Sequence, residues 1–273
     1  MTDKYAVIGN PIAHSKSPQI HAEFAKQTNQ DMSYEPILAP LDGFEAKVRE
    51  LIQLGYKGAN VTVPFKFEAY NLCDYLDSTA TSSGACAVNT LIFNNNLNKI
   101  EGTNTDGIGL RIDIEQNLGF SIANKDVLIL GAGGATEGIL FSLLGARSIT
   151  IANRTLENAL RVASGLYSSN FYEAQVNKFE ELNAPFDLIV NATSTGLSGD
   201  KLPLSDNIFN SNTLAYDMMY GRETAFMAQA RAAGAQVSDG LGMLVEQAAQ
   251  AFHLWRGVRP ETAPVIEMLR NSN

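Results

Sequence analysis

Short apolar runs rich in valine and isoleucine alternate along this chain with stretches whose apolar residues recur every three or four positions. Runs of the first kind, bounded by turn residues, predict strands, and the second kind predict amphipathic helices. Strands are predicted over 5–8, 34–38, 58–61, 87–93, 126–130, 148–152, 186–190 and 213–216. A helix over 41–54 places Phe44, Val48, Leu51 and Ile52 on one side. Strand and helix in alternation predict an α/β protein with parallel or mixed sheets. A polar Asn/Asp/Gly stretch at 102–107 separates two such patterns, and a second boundary is expected near Asp239-Gly240, before a helical tail. The expected organisation is a discontinuous first domain (1–105 plus 240–273) with a dinucleotide-binding domain (106–239) inserted in it and a cleft between the two.

Composition narrows the classes. The 273 residues are 45% hydrophobic and 18% charged, with a formal charge of −9. An acidic balance argues against a nucleic-acid partner, whose phosphates require a basic surface. No window is long and apolar enough for a membrane span, and the first residues read directly into a strand rather than a secretory leader. A cytoplasmic protein is expected, working as a monomer or homodimer on a small molecule. Cys73 and Cys86 lack metal-ligand spacing and are expected as a buried, reduced pair. His14, His21 and His253 show no metal spacing either, and no metal is assigned.

Chemistry gathers in two regions. In the later half, Asp126-Val-Leu-Ile-Leu130 runs into Gly131-Ala132-Gly133-Gly134-Ala135-Thr136 and then a helical stretch. Strand, glycine turn and helix make the dinucleotide-binding arrangement, in which glycines let the backbone approach a pyrophosphate. Thr136 stands where the third glycine of the pattern belongs. The next strand ends at Ala152 and leads into Asn153-Arg154-Thr155. An acid there would hold the ribose hydroxyl of NAD; an arginine fork instead suits the 2′-phosphate of NADP. The strand over 186–190 leads into Asn191-Ala-Thr-Ser-Thr-Gly196, expected on the nicotinamide side.

In the earlier half, Ser15 and Ser17 follow the first strand, and Ser17 before Pro18 also reads as a helix N-cap. Alternation puts Asn60 and Thr62 on one face, opposite Val61 and Val63. Pro64 is expected to start a helix with Lys66 in its first turn, where the helix end disfavours a positive charge. That placement suits a proton-transfer group. Asn89, in Ala87-Val88-Asn89-Thr90, and Asp106, in Asn104-Thr105-Asp106-Gly107, add an amide and a carboxylate; Asp106 either caps a helix or meets Lys66. In the helical tail Leu241, Leu244, Val245, Ala248, Phe252 and Trp255 form an apolar stripe with Gln247 on its flank.

Taken together, GNPIAHSKSP, GANVTVPFK, AVNT, NTDG, GAGGAT, NRT, NATSTG, YDMMYG and DGLGMLVEQAA resemble the shikimate dehydrogenase family, from residue 9 to about 250. The resemblance implies a substrate domain beside a Rossmann-like domain, and an NADP-dependent oxidoreductase of aromatic biosynthesis. It implies substrate contacts from Ser15, Ser17, Asn60, Thr62, Asn89, Asp106, Tyr220 and Gln247, with Lys66 catalytic beside Asp106. It implies cofactor contacts from Gly131, Ala132, Gly133, Gly134, Ala135, Asn153, Arg154, Thr155, Met218 and Gly240. The family's pattern carries a second basic residue shortly after NRT, where this chain has Asn158, with Arg161 one turn further on. That departure bears on the strength of the NADP preference. Two other readings stay open: a quinate/shikimate dehydrogenase preferring NAD, and a non-catalytic NADP or quinate sensor of the same fold.

Overall fold

A computed structural model describes residues 2–81, 86–94, 97, 99–167, 174–195 and 200–272. The chain folds as two compact units, the first containing Cys86–Gly109 and Val245–Ser272 together with the residues up to Thr81, the second Leu110–Leu244.

The first unit opens with β1 (Asp3–Gly9), α1 (Ser17–Gln27), β2 (Met32–Leu38), α2 (Phe44–Gln53), β3 (Tyr56–Val61) and α3 (Lys66–Leu72). There follow β4 (Tyr75–Leu76), α4 (Ser78–Thr81), β5 (Thr90–Asn94), β6 (Lys99–Thr103) and α5 (Asp106–Ile112). Its sheet has the order β2-β1-β3-β5-β6-β4. β1 runs parallel to β2 and β3, whereas β5 is antiparallel to both β3 and β6, so the sheet is mixed. The helix expected over 41–54 is α2, shorter at both ends: Leu41 and Leu54 lie outside it and face solvent. Phe44, Val48 and Leu51 bury its apolar side against Ala6, Ile8, Val61 and Phe65.

In the second unit come β7 (Asp126–Leu130), α6 (Gly134–Ile139), β8 (Ser148–Ala152), α7 (Leu156–Tyr167), β9 (Gln175–Asn177), β10 (Leu188–Asn191), β11 (Leu214–Asp217), α8 (Ala225–Ala232) and β12 (Gln236–Asp239). Every strand pair is parallel and the order is β12-β11-β10-β7-β8-β9, the doubly wound arrangement whose order reverses between β7 and β10. Alternation sends Val127 and Ile129 into one core and Leu128 and Leu130 into another. Burial on both faces is why this strand reads as an unbroken apolar run. α6 and α7 share the first core through Ile139, Ala159 and Val162, with Leu140 just beyond α6. The chain then returns through α9 (Leu241–Arg256) and α10 (Ala263–Asn271). Val245, Ala248 and Phe252 of the expected stripe are fully buried, and the Trp255 indole donates to the Leu91 carbonyl at 3.0 Å.

The thiols differ from expectation: Cys73 and Cys86 are both half-buried, since Cys73 sits at the open C-terminal end of α3. Both are free thiols, and burial still pushes Cys73 up to about 12.

Candidate active site

In the first unit, two side chains converge on one carboxylate. α3 begins at Lys66, and Pro64 stands before it, outside the helix it was expected to start. The Lys66 ammonium pairs with Oδ2 of Asp106, the first residue of α5. Asp106 does not cap its own helix; Oδ1 of Asn104 does, accepting from the Asp106 N–H at 3.0 Å. The carboxylate is therefore available for side chains. Its Oδ1 accepts from Nδ2 of Asn89 at 2.7 Å, and Asp106 and Asn89 are both buried.

The Asn89 amide is oriented by its other partners. Its Oδ1 accepts from the Thr105 N–H at 2.9 Å and from the Thr90 hydroxyl at 2.9 Å, so the NH₂ must face the carboxylate. The chain of bonds continues outward. Asn60 donates both amide hydrogens, to the Asn89 carbonyl at 3.2 Å and to Thr90 Oγ1 at 3.0 Å, and its Oδ1 accepts from the Tyr34 hydroxyl at 2.7 Å. Such a buried network is stabilising only when every member is satisfied. From the opposite side Thr105 Oγ1 reaches Gln247 Oε1 at 3.4 Å.

Of the other expected residues, Ser17 is buried beside Tyr34, and its N–H donates to Oγ of Ser15 at 3.3 Å. Ser17 is thus not the N-cap; Lys16 occupies that position and Ser15 supplies the oxygen. Thr62 follows β3 half-buried, its methyl filling the space that a Cβ on Gly9 would enter. Behind Tyr34 lies His21, stacked on the phenol with ring centroids 4.0 Å apart and fully buried. Neither imidazole nitrogen has a hydrogen-bond partner among the described residues. Burial pushes its pKa down to about 3, with the nearby Asn60 amide opposing the shift only in part, and the ring is neutral. Sequence alone does not single out Tyr34, Thr90 or Thr105. The two threonines sit inside the polar clusters at 87–90 and 104–107, whereas nothing local marks Tyr34.

In the second unit the glycine turn lies between β7 and α6. Gly131 has φ of +103°, and a Cβ on it would press on the Ala192 carbonyl at 3.2 Å. Gly133 and Gly134 face open space. Thr136 is fully buried and its hydroxyl donates to the Gly131 carbonyl at 2.9 Å, so it braces the turn in the place of a third glycine. The Gly131 N–H donates to the Ala152 carbonyl at 2.8 Å, which sets the end of β8 beside the turn. Beyond it Asn153 folds onto the Thr155 carbonyl at 2.8 Å, while Arg154 is exposed.

At the end of β10, Asn191 donates to Asp217 at 3.0 Å and accepts from the Thr193 hydroxyl at 2.7 Å. Asp217 is fully buried and also holds the Met219 N–H at 2.9 Å, which orders the turn carrying Met218 and Tyr220. Gly240 donates to the Met219 carbonyl at 2.9 Å. Tyr220, expected among the substrate contacts, belongs to this second unit, and burial raises its pKa. Gly196 of the same expected loop lies outside the described residues.

Known proteins match the chain along its whole length. Residues 7–91 fit the model of the shikimate dehydrogenase substrate binding domain, 113–198 that of shikimate/quinate 5-dehydrogenase, and 240–270 that of the shikimate 5′-dehydrogenase C-terminal domain. The shikimate dehydrogenase (NADP(+)) of Methylobacillus flagellatus is 54% identical over 272 residues, covering 98% of this chain and 99% of that protein. The crystal structure of an Ael1 enzyme from Pseudomonas putida superposes with a TM-score of 0.91 at 44% identity, with 98% of each chain covered. Shikimate 5-dehydrogenase from Thermus thermophilus, crystallised with NADP(H) and shikimate, gives 0.88 at 31% identity with both chains fully covered. On fold, motif and length alike, the chain belongs to the shikimate dehydrogenase family.

Proposed function

We propose that the chain catalyses the reversible NADPH-dependent reduction of 3-dehydroshikimate to shikimate, as an oxidoreductase acting on a CH–OH group. The observation that carries this reading is the Lys66–Asp106 pair, anchored by Asn89 inside a cluster of hydroxyls and amides. Such side chains suit a small ring acid with several hydroxyls. Ser15, Ser17, Asn60, Thr62, Asn89, Asp106, Tyr220 and Gln247 are the residues assigned to hold it. Lys66 donates a proton to the carbonyl oxygen as it becomes a hydroxyl, and takes one back in oxidation. Asp106 pairs with the ammonium and orients it.

The second unit fits NADP. Gly133 and Gly134 leave open space at the turn, and Arg154 stands exposed where an NAD site would carry an acid. Gly131, Ala132, Ala135, Asn153, Thr155, Met218 and Gly240 complete the assigned cofactor contacts. When bound, the nicotinamide supplies the hydride; the protein supplies position and charge. No helix among the described residues is long and apolar enough to cross a membrane. The proposed setting is the cytoplasm, where a biosynthetic step of this kind meets its cofactor, and the proposed state is monomer or homodimer.

The test is one assay: NADPH and NADH oxidation with 3-dehydroshikimate, beside shikimate and quinate oxidation. Turnover of 3-dehydroshikimate with NADPH well above NADH is expected. Preference for quinate with NAD, or no turnover with either cofactor, would overturn the proposal.

A further inference from the structure

One ion pair beside the glycine turn has no part in the scheme above. Glu137 lies in the first turn of α6, next in sequence to Thr136, whose hydroxyl braces Gly131. Its own N–H donates to the Gly133 carbonyl at 3.1 Å. A carboxylate placed there sits where a dinucleotide brings its phosphates, and like charges repel. Glu137 pairs with Arg161 of α7, and the two side chains are 11% and 58% exposed. The acid is thus largely enclosed and has one guanidinium partner among the described residues, while the guanidinium itself remains mostly in solvent. Asn158, one turn before Arg161 on the same side of α7, is uncharged and exposed. Arg154, at the start of that segment, has no ion-pair or hydrogen-bond partner among the described residues.

On the reading that this unit binds NADP, we infer that Arg161 is a specificity-determining residue that acts through Glu137, cancelling the acid's repulsion of the 2′-phosphate rather than gripping that phosphate. NADP+ carries up to two more negative charges than NAD+ at neutral pH. An unmatched carboxylate near the turn therefore disfavours NADP+ more than NAD+. Arg154 supplies direct attraction; Arg161 removes an opposing charge.

The experiment is titration of the full-length protein with NADP+ and with NAD+, each followed by calorimetry. The variants are Arg161→Ala, Arg161→Lys, Glu137→Gln, the Arg161→Ala/Glu137→Gln pair, and Arg154→Ala. Arg161→Ala is expected to weaken NADP+ by about ten-fold, from one uncompensated charge at partly screened range, with a much smaller loss for NAD+. Arg161→Lys keeps the charge and is expected to bind both as the parent does. The decisive arm is the double variant: removing the acid together with its partner should restore the NADP+/NAD+ ratio. A ratio that stays low in the double variant means Arg161 touches the phosphate itself, and the inference fails. It fails too if Arg161→Ala lowers both cofactors equally or neither. A parent protein without NADP+ preference, unchanged by Arg154→Ala, would instead sink the NADP reading on which the inference stands.

Discussion

The two units prepare for their ligands in opposite ways. Around Asp106 the first unit is closed on itself: Asn60, Asn89, Thr90 and Thr105 hold one another, and a phenol and two backbone groups fix which way each amide points. Around the glycine turn the second unit is open, with Gly133 and Gly134 facing empty space and Arg154 exposed, without a partner among the described residues. The difference follows from what each must recognise. Hydroxyls are told apart by the direction of donors and acceptors, so the groups that read them have to be held by neighbours. Phosphate is recognised by charge and by backbone N–H groups, which need only a bare turn and an accessible cation.

The sharpest way to break this contrast is at Lys66. Lys66→Ala should lower turnover by about 10²–10⁴-fold, the contribution usual for a positioned acid or base. Shikimate affinity measured by calorimetry should change far less, because the hydroxyl and amide cluster does not depend on the ammonium. Near-normal turnover with weak shikimate binding would make Lys66 a binding residue instead. Asp106→Asn should harm both quantities, since Asn89 and Lys66 share that carboxylate.

At the open end, Arg154→Ala should raise the Michaelis constant for NADPH by about ten-fold or more over any change for NADH, the worth of a lost phosphate pair. Equal changes for both cofactors would show that the arginine does not read the phosphate.

His21 sharpens the contrast through stability. Its pKa is lowered from 6.5 to about 3, so below pH 6.5 the unfolded chain takes up a proton that the folded chain refuses. Its contribution is constant above that pH and falls as the pH drops toward 3, by about 1.4 kcal/mol for each unit. His21→Phe keeps an aromatic ring against Tyr34 and should flatten the acid limb of a urea-denaturation series between pH 6 and 4. An unchanged slope would mean that the imidazole is protonated in the folded state.

The smallest effect is expected at Thr136. Replacing it by Val removes one neutral hydrogen bond to the Gly131 carbonyl and leaves a buried acceptor without that partner. About 1–3 kcal/mol of stability should be lost, measured by the same denaturation, with slight loosening of cofactor binding.

How much of this is legible in the sequence follows the same division. The strands at 126–130 and 148–152 can be read with their bounds intact: both faces are buried, Val127 to Leu130 is an unbroken apolar run, and Ile149, Ile151 and Ala152 flank a single buried threonine. The glycine turn and Arg154 are local signals, fixed by what backbone geometry and phosphate demand. Lys99–Thr103, Gln175–Asn177 and Gln236–Asp239 escape the pattern as strands, since they are short and partly polar and pair only because a neighbouring strand is already there. The strand expected over 87–93 begins instead at Thr90, because the Val88 N–H turns out of the sheet to the Lys66 carbonyl. The individual members of the Asp106 cluster stand out as polar residues after strands. Their connection through Tyr34 and Thr90 does not, because it joins positions tens of residues apart.

On the proposed assignment of Asn60 to the substrate site, its bonding has a practical consequence for anyone designing an inhibitor. Both of its amide hydrogens are already engaged, by the Asn89 carbonyl and the Thr90 hydroxyl, and the Tyr34 phenol holds the amide against turning over. To an incoming molecule this side chain presents acceptor character alone. A hydroxyl or ammonium placed against it gains a bond, whereas an ether oxygen or a fluorine in the same position meets lone pair with lone pair.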